Sequence, residues 1–201
     1  GRHFIEDDDI EAVTDVLRGE FLTTGPVVDA FENKLAEVTG ARHVVSCSSG
    51  TAALHLTASA LDLGPGDWAI VPAMTFLATA NAARYVGADV IFADVDAETG
   101  LMTSETFEAA RATAMGSVKA VYPVHINGQT ANMAAIRQVA GDMPIVEDAC
   151  HALGGVHKAA NGEWVPVGSC AYSEMSIFSF HPVKTVAMGE GGAVTTNDDH
   201  L

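Results

Sequence analysis

The sequence predicts an α/β protein, a three-layer α/β/α sandwich on a mostly parallel seven-stranded sheet. Three observations predict it. Short apolar runs rich in β-branched residues recur along the chain, stretches of helical composition separate them, and the runs are near-continuous rather than alternating. A continuous apolar run suits a strand covered on both faces. Strands that alternate with helices return through right-handed crossovers and lie mostly parallel.

Two amphipathic helices are expected first, over 9–17 and 27–38, joined by the ordered turn Phe21-Leu22-Thr23-Thr24-Gly25-Pro26. The strands follow at 43–47, 69–72, 89–92, 118–124, 144–146, 176–179 and 192–196. Helices are expected between them at 50–61, 77–86, 104–115 and 131–140. Ser104 is placed to cap the third of these. There is no internal repeat and no domain boundary within the chain.

With 201 residues and 48% apolar composition, the chain suits one large domain with a substantial core. Its formal net charge of −16, from 26 acidic and 10 basic side chains, argues against general nucleic-acid affinity. An acidic solvated surface does not exclude one bound anion, which local backbone dipoles can hold. No apolar run approaches the ~18 residues of a membrane span. The start, Gly1-Arg2-His3-Phe4, has no apolar signal core, and its first residue is not Met, so a longer parent sequence is expected. Cys47, Cys150 and Cys170 are scattered, without a Cys-x-x-Cys pair, so neither a disulfide framework nor a zinc site is expected. Small buried thiols in a reducing cytoplasm account for them.

In sheets of this kind, ligands gather beyond the carboxyl ends of the strands. Residues just past the apolar runs are therefore the candidates. Ser48-Ser49-Gly50-Thr51 leads from a strand into a helix, where free amides and a close-approach glycine suit a phosphate. Ser and Thr at that position also serve as ordinary caps. Asp148 ends a buried run and needs a partner, either a nearby loop or a protonated pyridine nitrogen. His151 follows three residues later, and can stack on a ring or be structural. Lys184 is one of only four lysines and lies between apolar and glycine-rich sequence. Desolvation there would make its amine nucleophilic toward an aldehyde, although a snorkelling structural lysine fits the same segment.

Five ordered segments resemble the DegT/DnrJ/EryC1/StrS sugar aminotransferases, which have the type I pyridoxal-phosphate (PLP) fold. They are FLTTGPVVDAF (21–31), SGTAAL (49–54), PAMTFLATANA (72–82), EDACHALG (147–154) and FSFHPVKTVAMGEGGAV (178–194). The resemblance implies PLP as cofactor, covalently held by Lys184, which also shuttles protons. It implies Asp148 at the pyridine nitrogen, Phe76 on the ring face and His151 beside the 3-hydroxyl. Ser49, Gly50, Thr51 and Ser179 would surround the phosphate.

The same resemblance implies glutamate as amino donor and a nucleotide-linked 4-keto-6-deoxy sugar as acceptor, for surface glycan or lipopolysaccharide synthesis. The wording SFHPVK and GEGG is similar to the subgroup acting on UDP-4-keto-6-deoxy-N-acetylhexosamines. It further implies a homodimer, and a C-terminal small domain beyond Leu201, so that residues 1–201 form an N-terminal segment plus the large domain. Two other readings share the scaffold: a PLP-dependent sugar dehydratase, and a non-catalytic regulatory homologue.

Overall fold

The computed structural model describes residues 3–159 and 161–201. Helices α1 (Asp7–Arg18) and α2 (Pro26–Thr39) precede β1 (His43–Cys47), α3 (Gly50–Ala60), β2 (Asp67–Pro72) and α4 (Leu77–Tyr85). Next come β3 (Asp89–Ala93), α5 (Ser104–Ala112), β4 (Ser117–Val121), α6 (Met133–Ala140) and β5 (Val146–Asp148). The short strands β6 (Val156–Lys158) and β7 (Trp164–Pro166), then β8 (Met175–Ser179) and β9 (Gly192–Thr196), complete the order.

Seven strands lie in the order β3-β2-β4-β5-β8-β9-β1. Continuous ladders join β3-β2-β4 and β5-β8-β9-β1, and two parallel bridges, Val121–Ile145 and Val124–Asp148, link the two parts. Only β9 runs against the others, antiparallel to both β1 and β8. The seam between β4 and β5 is thus thin, and Asp148 sits on it.

Alternate strand residues feed opposite layers, as strand geometry requires. Ala69, Val71, Val146, Ile177 and Val194 face the Ala-rich helices α3 and α4. Ile70, Val121 and Ile145 face α5 and α6, through Phe107, Met133 and Ile136. Phe178 and Ala193 face Leu35 of α2. Side chains as large as Phe107 and Phe178, essentially inaccessible, each contribute about 1.5–3 kcal/mol by burial. The small residues of α3 and α4 let both helices lie close to the sheet. Helix α1 buries none of its residues, and Ile10, Val13 and Leu17 along it are exposed.

Three expectations change in detail. Helix α5 is capped by Thr103, whose hydroxyl accepts from Thr106 N at 3.2 Å, so Ser104 is its first helical residue. The reciprocal bond from Thr103 N to Thr106 Oγ1 closes a capping box that Ser104 could not make. The strand expected at 144–146 pairs over Val146–Asp148 instead, so Asp148 is part of the ladder. The β6–β7 hairpin was not anticipated: each strand has three residues, too few for a periodic signal, although Asn161-Gly162 is a hairpin-turn pair. No helix among the described residues is long and apolar enough to cross a membrane.

Candidate active site

The carboxyl ends of β1, β5 and β8 open onto one cavity of about 690 Å³. Ser49, Gly50, Thr51, Phe76, Asp148, His151, Ser179 and Lys184 all line it, so every residue singled out from sequence meets at this place. They arrive from four separate segments that only the sheet brings together.

One end of the cavity is the start of α3. The Ser49 hydroxyl accepts from Ala52 N at 3.1 Å, which makes it a helix cap as well as part of the wall. The amides of Gly50 and Thr51 are the helix's leading donors, and no acceptor satisfies them among the described residues. Such donors, with the helix dipole behind them, attract an anion. Gly50 lies so close to β8 that a Cβ on it would stand 2.7 Å from the Ser179 Cβ and 3.1 Å from the Cys150 Sγ. Gly50→Ala is therefore expected to push Ser179 away and weaken phosphate-ester binding about tenfold. It should cost about 1–3 kcal/mol of stability. Titration with PLP and a thermal melt would check both.

At the other end, Asp148 is 4% exposed and presents its carboxylate to the cavity. Its Oδ2 accepts from the Thr79 hydroxyl at 2.7 Å, and Thr79 Oγ1 lies 2.8 Å from Thr75 Oγ1. Its Oδ1 accepts from Cys150 N at 3.3 Å. A carboxylate this buried, held by neutral donors, suits a cationic N–H partner. Burial and the Asp148 carboxylate together push the neighbouring Cys150 thiol well up, so it stays protonated.

Between these ends stand Phe76, His151 and Lys184. Phe76 caps α4 and leaves 73% of its surface exposed at the cavity. The His151 Nδ1 accepts from Asn127 N at 3.3 Å. Burial lowers the His151 pKa, the Lys184 charge lowers it further, and Asp148 opposes both. The folded state then binds that proton less tightly than the unfolded chain, so His151 lowers stability as pH falls below about 6.5. His151→Gln should flatten this acid limb, read as melting temperature against pH.

Lys184 is half-buried on the loop from Phe180 to Gly191, which joins β8 to β9. The loop is closed at its base by Phe180 N to Gly191 O at 2.8 Å and Met188 N to Phe180 O at 2.9 Å. Turn bonding from Lys184 N to His181 O at 2.9 Å sets the lysine over the cavity wall.

The arrangement fits a phosphorylated aromatic ring with an aldehyde. Free amides and a missing Cβ form the seat for the phosphate, Leu54, Phe76 and Ala78 supply apolar surface, Asp148 offers a carboxylate, and Lys184 an amine.

Some polar groups here were not singled out from sequence. Thr79 gave no sign of which helix face it occupies. Behind Asp148, Glu147 is 1% exposed and gathers His125, His157 and Ser173. His125 and Glu147 both follow apolar runs, but His157 lies on the unforeseen hairpin, so their meeting was not legible. Ligand atoms of His125, Glu147 and His157 lie within 4.8 Å of one another, a spacing a metal ion also uses.

Comparison with known proteins agrees with this fold. The DegT/DnrJ/EryC1/StrS aminotransferase family matches residues 3–201. An aminotransferase from Psychrobacter cryohalolentis superposes with a TM-score of 0.90 at 30% identity, over 100% of this chain and 49% of its own. Spr1654 from Streptococcus pneumoniae, described as a sugar aminotransferase and solved in its PLP form, gives 0.89 at 31%, over 100% and 53%. A DegT DnrJ EryC1 StrS aminotransferase from Brucella abortus gives 0.84 at 34%, over 95% and 51%. The chain thus spans about half the length of these solved relatives. Match over nearly all its residues, with the PLP-dependent aminotransferase fold, means that this chain belongs to the DegT/DnrJ/EryC1/StrS aminotransferase family.

Proposed function

We propose that this chain carries the cofactor site of a PLP-dependent aminotransferase that moves an amino group from glutamate to a nucleotide-linked 4-keto-6-deoxy sugar. The observation that carries the reading is the single cavity where Lys184, Asp148 and the Gly50–Thr51 amides meet. The likeness to a relative described as a sugar aminotransferase supports the choice of acceptor class. A homodimer and a role in surface glycan synthesis belong to the same proposal.

When bound, PLP supplies an aldehyde that captures amines and a ring that accepts electron density from the carbon being deprotonated. The chain does the rest. The Gly50 and Thr51 amides and the Ser179 hydroxyl hold the phosphate, and Ser49 fixes the helix start that presents them. The Asp148 carboxylate would accept from the ring N–H and keep that nitrogen protonated, with Thr79 holding its Oδ2. Phe76 would cover one ring face and exclude water from it. His151 would lie beside the 3-hydroxyl. Lys184 Nζ is both the attachment point and the base that takes and returns a proton.

The test is a visible absorption spectrum of the chain with PLP, followed by borohydride reduction and peptide mapping. The expected result is a new band, fixed by borohydride on Lys184. An unmodified Lys184 under saturating PLP would overturn the reading. Amine transfer from glutamate, against loss of a sugar hydroxyl, then separates aminotransferase from dehydratase.

A further inference from the structure

We propose that Glu147 is a positioning residue for Asp148, acting as a clamp across the thin seam between β4 and β5. The inference rests on the assignment of Asp148 to the cofactor's ring nitrogen.

On its cavity side, among the described residues, Asp148 has only the Thr79 hydroxyl at 2.7 Å and the longer Cys150 amide bond to orient it. Its position therefore depends on where the backbone of β5 is held. That backbone meets the β4 side through just two bridges, one of them Val124–Asp148 itself. The Asp148 amide donates to Pro123 O at 2.8 Å, and the His125 amide donates to Asp148 O at 3.0 Å.

Glu147 adds the side-chain half of this grip. Its Oε2 accepts from His125 Nε2 at 2.9 Å and from His157 Nε2 at 2.8 Å, and its Oε1 accepts from the Ser173 hydroxyl. His125 thus holds both residues of the strand end, Asp148 by its amide and Glu147 by its ring. His157 ties the same carboxylate to the β6–β7 hairpin. Burial works against ionising Glu147, but the bonds from His125 and His157 outweigh it and hold its pKa well below the ordinary value. A buried charge with three donors is a rigid node, costly to disturb.

The three side chains also have the composition of a metal site, but one bond decides between the readings. Ala131 N donates to His125 Nδ1 at 3.2 Å, so Nδ1 is the acceptor and the ring proton sits on Nε2. A metal would need a lone pair there.

The test compares wild type with Glu147→Ala, Glu147→Gln and a distant core control, Phe107→Leu. The readouts are the PLP dissociation constant, the absorption band, and hydrogen exchange at the His125 and Asp148 amides without PLP. Glu147→Ala should weaken PLP binding and speed exchange at both amides by about tenfold or more. Glu147→Gln, which still accepts from both imidazoles, should restore most of each. Phe107→Leu should lower the melting temperature and leave PLP binding and both amides unchanged. If Glu147→Ala does not fold, His157→Leu, which removes one donor, is read by the same criteria. Wild-type binding and exchange in the Glu147→Ala chain, or in His157→Leu in its place, overturns the clamp alone. One equivalent of zinc retained by the wild type after dialysis also overturns it. A wild-type chain that forms no PLP adduct on Lys184 overturns the functional reading, and the clamp's purpose with it.

Discussion

Lys184→Ala is expected to abolish borohydride-fixed attachment of PLP and to lower amine transfer by roughly 10²–10⁴-fold or more. Two proposed roles would disappear together, since the same nitrogen is assigned both the anchoring of the cofactor and the movement of the proton. The fold should not suffer. Lys184 sits on a loop with its side chain half-buried, and a change at such a site usually stays within about 0.5 kcal/mol. Lys158→Ala, on the exposed edge of β6, is the matched control and should leave attachment and transfer intact. Spectra and peptide maps on both variants decide the matter. A Lys184→Ala chain that still carries reducible cofactor at wild-type stoichiometry would remove Lys184 from its assigned role.

Asp148→Asn should slow turnover by about 10²–10³-fold, the scale seen when one preorganised electrostatic contact to a developing charge is removed. The substitution keeps shape and deletes charge. Its hydrogen bonds can be remade, with the amide oxygen toward Cys150 N and the amide nitrogen toward Thr79. The Thr79–Thr75 hydroxyl chain would then run the opposite way. The site should stay formed while the ring nitrogen would lose the carboxylate proposed to keep it protonated. Steady-state kinetics should therefore show a fall in kcat larger than any rise in KM. Unchanged turnover would refute the pairing.

Much of this was legible in the sequence because burial on both faces leaves an unambiguous mark. The apolar runs at 69–72 and 176–179 gave strands within a residue or two of their observed bounds. The cavity residues were legible for a related reason: polar groups such as Asp148 and Lys184 stand out in apolar or glycine-rich surroundings. What escaped was set by tertiary pairing. The reversal of β9 leaves no local trace, because Gly-Ala-Val-Thr-Thr reads alike in either direction. Thr79 and His157 became informative only once folding placed them against Asp148 and Glu147. Which of two adjacent threonines caps α5 was likewise decided by a reciprocal bond with Thr106, which composition does not encode.

That reversal of β9 has a consequence for how the amine is delivered. A parallel β9 would have required the chain to leave the cavity end of β8 and cross over to the far edge before re-entering the sheet. Running antiparallel, β9 starts where β8 stops, with Ser179 opposite Gly192. The lysine therefore rides on a strap pinned at both ends beside the cavity. Its nitrogen is confined within the strap's reach, and that reach rather than solution conditions sets its local concentration. Loop-closure entropy changes only slowly with length, so such a strap can be lengthened or trimmed at small thermodynamic cost while still returning the amine to the same mouth.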